Sequence, residues 1–195
     1  APEDRDAEAN LEDLAHQVAD WNDLLASYRR RAQRETEAGA KASLLMEIAT
    51  LQEQKLVDLD GAAATYKEVL ATQPGMLKAL RALARIDEAR GDWESLAEVL
   101  AEELKQTADG QPRFDLLMRV GGIEEMNLDA PANALDYYRD ALNMPAVGGG
   151  ARPEAIEAVA RIVLDPKAAA GVEPKDRLAA TRQVLPHLER TQAFL

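Results

Sequence analysis

A chain of 195 residues without a single cysteine can form no disulfide, thiolate nucleophile or thiolate zinc site. Its 23 basic residues against 35 acidic ones leave a net charge of −12, which speaks against a surface for phosphate backbones and against docking on anionic lipid. Apolar residues make up 47% and aromatic residues 4%, enough for a core of Ala and Leu, and no apolar run reaches the ~20 residues of a membrane-spanning helix.

No stretch alternates apolar and polar residues long enough for a sheet, and helical spacing runs throughout. Leu11, Asp20, Trp21, Leu24 and Tyr28 open the series. Leu44, Leu45, Ile48, Ala49, Leu51 and Leu56 then form one stripe. A turn is expected at Asp60-Gly61, followed by a second stripe of Ala62, Ala63, Tyr66, Val69 and Leu70 that Pro74 closes. The next pair has Leu80, Leu83, Ala84 and Ile86 before a turn at Arg90-Gly91-Asp92, and Trp93, Leu96, Val99, Leu100 and Leu104 after it. From here the chain repeats itself at a distance of 72 residues. Asp20-Trp21-x-x-Leu24 returns as Asp92-Trp93-x-x-Leu96, Leu44-Leu45-Met46 as Leu116-Leu117-Met118, and Tyr66-x-x-x-Leu70 as Tyr138-x-x-x-Leu142. Residues 10–73 lie over 82–145 without a gap, and a fixed period of this kind marks a repeat architecture. Ala49, Ala84, Gly121 and Ala160, with Ala62 and Ala134, fall where helices must approach, and Tyr66, Leu100 and Tyr138 follow one turn on. Trp21 and Trp93 are expected in the core, where Trp93→Ala costs ~3–5 kcal/mol.

Residues 146–152, with Gly148-Gly149-Gly150, read as a flexible joint. Ala155 to Ile162 then repeats Ala79 to Ile86 with four extra residues between. A break runs from Asp165-Pro166 to Pro174, with one helical turn at Ala168 to Ala170. A last helix is predicted over 175–185, ended or kinked by Pro186. Residues 164–195 read as a degenerate closing unit, or as a lid or the start of a further unit. The abrupt ends, Ala-Pro-Glu-Asp and Gln-Ala-Phe-Leu, suggest a piece of a longer chain.

Ile48-Ala49, Ala62, Tyr66 and Pro74, then Leu83-Ala84, Gly91-Asp92-Trp93 and Leu96, then Val120-Gly121, Ala134, Tyr138, Ala141 and Pro145 resemble the pattern of the tetratricopeptide repeat family across about residues 8–163. The resemblance implies an all-α fold: a single right-handed α-solenoid of about five helix pairs, with units at approximately 8–40, 41–75, 76–111, 112–147 and 152–195. The pattern departs at Gln52, where the family has an aromatic residue. It departs again between Tyr28 and Leu44, where the longer stretch predicts helices with an extra turn.

The family register also implies a concave groove. It turns inward Ser43, Met46, Thr50 and Glu53, then Lys78, Arg81, Arg85 and Glu88, then Asp115, Met118, Gly122 and Glu125, and finally Glu154, Glu157 and Arg161. The partner-binding candidates among them are Met46, Thr50, Lys78, Arg81, Arg85, Met118 and Arg161. Lys78, Arg81 and Arg85 share one helix face and suit a carboxylate, unless they pair with Glu47, Glu88 or Asp115. Some family members grip a C-terminal carboxylate with basic residues at similar positions. Arg81 and Arg85 match half of that clamp, and Met46 and Thr50 stand where its Lys and Asn belong.

Catalytic signals are missing. His16 and His187 are 171 positions apart with no second ligand at helical spacing. Gly148–Gly150 lacks the Lys-Ser/Thr of a phosphate loop, and no Gly-x-Ser-x-Gly occurs. The expectation is a non-enzymatic scaffold, without cofactor or metal, that binds a peptide or helix of a partner protein. It contacts neither nucleic acid nor membrane, and a cytoplasmic setting is favoured over a periplasmic one. The alternatives are a spacer segment of a longer repeat array, and self-association through terminal helices bearing Leu185, Phe194 and Leu195.

Overall fold

The computed structural model describes Asn10, residues 21–145 and residues 152–192, with side chains as far as Leu188. The joint at 146–151, the two terminal residues Phe194 and Leu195, and Leu11 and His16 lie outside the described residues. Every described element is an α-helix. The chain divides into two compact units, Ala1–Asp92 and Trp93–Leu195.

The first unit contains α1 (Trp21–Arg34), α2 (Ala38–Gln54), α3 (Leu59–Thr72) and α4 (Leu77–Arg90), each packed on the next. Glu37 caps α2 by accepting from the amides of Gly39 and Ala40, which removes two of the orphan donors at its start. The turn expected at Asp60-Gly61 lies earlier, at residues 55–58. Asp58 is the N-cap of α3, its carboxylate accepting from Gly61 N at 2.9 Å, so that Asp60-Gly61 belongs to the first helical turn. At the other end Gly91, with φ +69°, closes α4 in the left-handed conformation that glycine adopts without a Cβ clash. With 17 residues against 14 in α4, α2 carries the extra turn expected of the stretch after Tyr28. Ile48, Ala49, Ala62, Tyr66, Val69, Leu80 and Leu83 make the core of the unit.

The second unit contains α5 (Trp93–Gln106), α6 (Gln111–Met126), α7 (Pro131–Asn143), α8 (Pro153–Leu164), the single turn α9 (Pro166–Ala170) and α10 (Pro174–Gln192). Here too α5, α6, α7 and α8 pack in succession, and α10 closes on α8. The copies agree in detail. α5 spans α1 shifted by 72 residues, and α7 begins 72 residues after α3. Among the described residues, Val57 and Asp129, 72 positions apart, are the non-glycine residues of positive φ, at 54° and 49°. Beside them Asp58 N donates to Gln52 O and Ala130 N to Glu124 O, both at 2.8 Å. Gly121 is needed because a Cβ there would stand 2.5 Å from the Tyr138 ring.

Three expectations change. α10 continues past Pro186 to Gln192 instead of stopping at 185, because Ala180 and Val184 before it and Leu188 beyond it all pack into the core with α8. Trp93 is only half-buried, so its removal costs less than a core tryptophan would. Trp21 is half-buried too, packing against Leu24 and Leu51 with Lys55 Nζ 5.0 Å from its ring centroid. Arg152, by contrast, is 7% exposed. Its Nη1 donates to Gln111 Oε1 at 3.1 Å and its Nη2 to Pro145 O at 2.8 Å, and its guanidinium lies 3.9 Å from the Phe114 ring centroid. No described helix is long and apolar enough to cross a membrane.

Candidate functional site

Met46, Thr50 and Glu53 share one face of α2, and Lys78, Arg81 and Arg85 share one face of α4, because residues three, four and seven apart return to the same side of a helix. The two faces meet through a charge network. Glu53 accepts from Tyr66 Oη of α3 at 2.9 Å and pairs with Arg85 Nη2 of α4 at 2.5 Å. Burial, and then the Glu53 carboxylate as hydrogen-bond acceptor, push the Tyr66 phenol up to about 12. Thr50, half-buried beside it, also hydrogen-bonds this phenol. Arg85 therefore pairs with Glu53, an acid that the sequence reading does not offer it.

The second unit builds the same triad. Glu125 accepts from Tyr138 Oη of α7 at 2.8 Å. From α8, Arg161 Nε donates to Glu125 Oε1 at 2.7 Å and Nη2 to Oε2 at 2.6 Å. The hydrogen bonds from Arg161 hold the Glu125 carboxyl below its ordinary range, and burial followed by the Glu125 hydrogen bond raises the Tyr138 phenol. Glu and Tyr are 72 residues from their counterparts. Arg161 is 76 from Arg85, which matches the four extra residues before α8. Each triad ties three consecutive helices together. The groove register places Glu53, Glu125, Arg85 and Arg161 toward a partner, and within each unit these residues also tie neighbouring helices to one another. The signal that identifies them was in the chain: a Glu thirteen residues before a Tyr, twice, with an Arg in the following helix.

The remaining candidates divide between the units. In the first, Lys78 and Arg81 are exposed and Met46 is half-buried. The Arg85 side chain pairs with Glu53 and is 65% exposed. In the second, Met118 packs against the core of α7 and α8, while both donor edges that Arg161 offers Glu125 are engaged. The Met46–Lys78–Arg81–Arg85 face is thus the part of the predicted groove that combines accessible cations with an apolar side chain. Among the described residues, no group of three or more His, Asp or Glu is placed to hold a metal.

Comparison with known proteins gives structural likenesses alone. No family model matches the sequence, and no curated protein matches it. The solved structure "MamA RS-1 ArsTM double mutant" is similar at 14% identity and a TM-score of 0.49, over 97% of this chain and 96% of that one. "Crystal structure of MamA protein" is similar at 11% identity and a TM-score of 0.48, over 100% of this chain and 97% of that one. "Crystal structure of MamA" is similar at 11% identity and a TM-score of 0.44, over 93% and 96%.

Proposed function

We propose that this chain is a non-catalytic scaffold of tetratricopeptide-type helix pairs, and that the α2/α4 face of its first unit holds an acidic segment of a partner protein. The observation that carries the reading is the exposed stripe of Lys78, Arg81 and Arg85 beside Met46, in a chain of net charge −12. A local cationic face on an acidic protein selects carboxylates and rejects basic partners, and the methionine adds adaptable apolar contact. Because Arg85 braces Glu53, the informative variant leaves it alone. Lys78→Glu/Arg81→Glu keeps the triad and reverses the face. The expected outcome is parental helicity by circular dichroism, with loss of the proteins that the parent retains from lysate. A partner held equally by both refutes this face as its site.

The matching helix bounds of the two copies support a second reading, a spacer in a longer repeat array. Empty captures from parent and variant alike favour it. Leu178 and Leu185, 52% and 47% exposed on α10 and two turns apart, support self-association. Light scattering tests that reading, since a mass independent of concentration removes it.

A further inference from the structure

The most basic and the most acidic of the described helices, α1 and α5, stand at the same place in the two copies. α1 carries Arg29, Arg30, Arg31 and Arg34 against Asp23, a net +3. α5 carries Glu94, Glu98, Glu102 and Glu103 against Lys105, a net −3. At matched positions Arg29, Arg30, Arg31 and Arg34 give way to Ala101, Glu102, Glu103 and Gln106, and Asn22 and Ala26 to Glu94 and Glu98. The fold does not ask for this inversion. Both helices have 14 residues, and both bury the same positions, Leu24 with Leu96 and Ala32 with Leu104. The helix dipole does not ask for it either. Arginines in the last turn of α1 suit the negative end of a helix, whereas Glu102 and Glu103 near the end of α5 oppose it.

Part of each charge is offered to solvent. Arg30 and Arg34 are exposed, and so are Glu94 and Glu98. Each pair is four residues apart, which sets its members on one side of the helix at a spacing of about 6 Å. Glu94 and Glu98 also border a groove of about 390 Å³ in the second unit, together with Ala97, Ala101, Asn133 and Tyr137. Burial, and then the charges of Glu124, Asp136 and Asp140, raise the Tyr137 phenol, so the groove is half-sheltered and negative. Carboxylates suit the planar fork of a guanidinium, and an aromatic ring beside them adds cation–π attraction.

We propose that these two faces meet between copies of the chain: the Arg30/Arg34 edge of α1 on one copy docks along the Glu94/Glu98 edge of α5 on another, over the Tyr137 groove. The chain carries both halves of this contact, at equal spacing and with opposite sign. The contact uses neither the α2/α4 face nor the exposed leucines of α10, so it stands or falls apart from the readings above.

The test is sedimentation equilibrium of the full chain beside Arg30→Glu/Arg34→Glu and Glu94→Arg/Glu98→Arg, with circular dichroism to verify parental helicity. The parent should self-associate at about 0.05 M salt, and about tenfold more weakly at about 0.5 M, because exposed ion pairs are screened. Salt acts in the opposite direction on molecules that only repel through a net charge of −12 each. Each variant alone should be monomeric, since its two faces carry one sign. Mixed one to one, the variants should recover the association, because the α5 face of the first still fits the α1 face of the second and the reversed faces pair as well. A parent that stays monomeric to ~1 mM, association that salt strengthens, or a mixture without recovery overturns the proposal. Variants that associate as the parent does overturn it too, in favour of α10.

Discussion

The two Glu–Tyr–Arg triads repeat one arrangement at matched sequence positions, and that arrangement has a measurable energy. Arg161 reaches Glu125 side-on through two nitrogens, and the Glu125 side chain is 15% exposed. Arg85 Nη2 lies 2.5 Å from Glu53 Oε1, with side chains 65% and 11% exposed. Bonds to charged groups contribute about 1.5–3 kcal/mol when sheltered, whereas exposed ion pairs contribute about 0.2–1 kcal/mol. Both arginines are half or more in solvent, so screening brings each coupling down to about 1–2 kcal/mol. Double-mutant cycles separate the two: Glu125→Gln with Arg161→Gln, against Glu53→Gln with Arg85→Gln. Urea unfolding read by tryptophan fluorescence reports each unit by itself, because Trp21 and Trp93 lie in different units. The second unit is followed in a Trp21→Phe background and the first in Trp93→Phe. A coupling below about 0.5 kcal/mol in either unit refutes the argument that the triad locks its three helices.

Two further outcomes follow from the same structure. The Tyr66 phenol titrates at about 12 in the folded chain against 10.0 for an ordinary tyrosine, so the unfolded chain loses that proton first. The stability it contributes is complete below pH 10 and is lost as pH rises from 10 toward 12. Urea midpoints of the first unit should fall through that window, and Tyr66→Phe should flatten the decline; an unchanged slope would point to another group. Pro186 lacks the N–H that would continue the α10 ladder, so Pro186→Ala should raise the stability of the second unit by roughly 1–3 kcal/mol. A lower melting temperature would mean that the packing of α10 on α8 depends on the shape proline imposes.

What the sequence made legible was whatever depends on period. The 72-residue repeat anticipated helices with matching bounds, Gly91 as a helix stop, and Gly121 under Tyr138. Local signals competing with distant ones were harder to read. Asp60-Gly61 reads as a turn, but the cap that starts α3 is Asp58. Pro186 reads as a terminus, yet the burial of Val184 and Leu188 carries the helix past it. In the site, Met46, Lys78, Arg81 and Arg85 were placed on helix faces by spacing alone. The role of Arg85 was not legible, because whether an arginine meets a partner or its own Glu53 depends on the approach of a helix 32 positions away.

Arg152 gives the second unit a property that concerns chain length rather than contacts. Through Gln111, Phe114 and Pro145 it fastens the end of α7 to the start of α8, so the position of those helices does not depend on how many residues link Pro145 to Arg152. At the matching point of the first copy, two residues, Pro74 and Gly75, separate Gln73 from Met76, and here residues 146–151 make six. Lengthening a closed loop costs only about 0.6 kcal/mol per doubling. The clasp of Arg152 on Gln111, Phe114 and Pro145 thus makes the placement of α8 beside α7 a matter of contacts rather than of the number of residues between them.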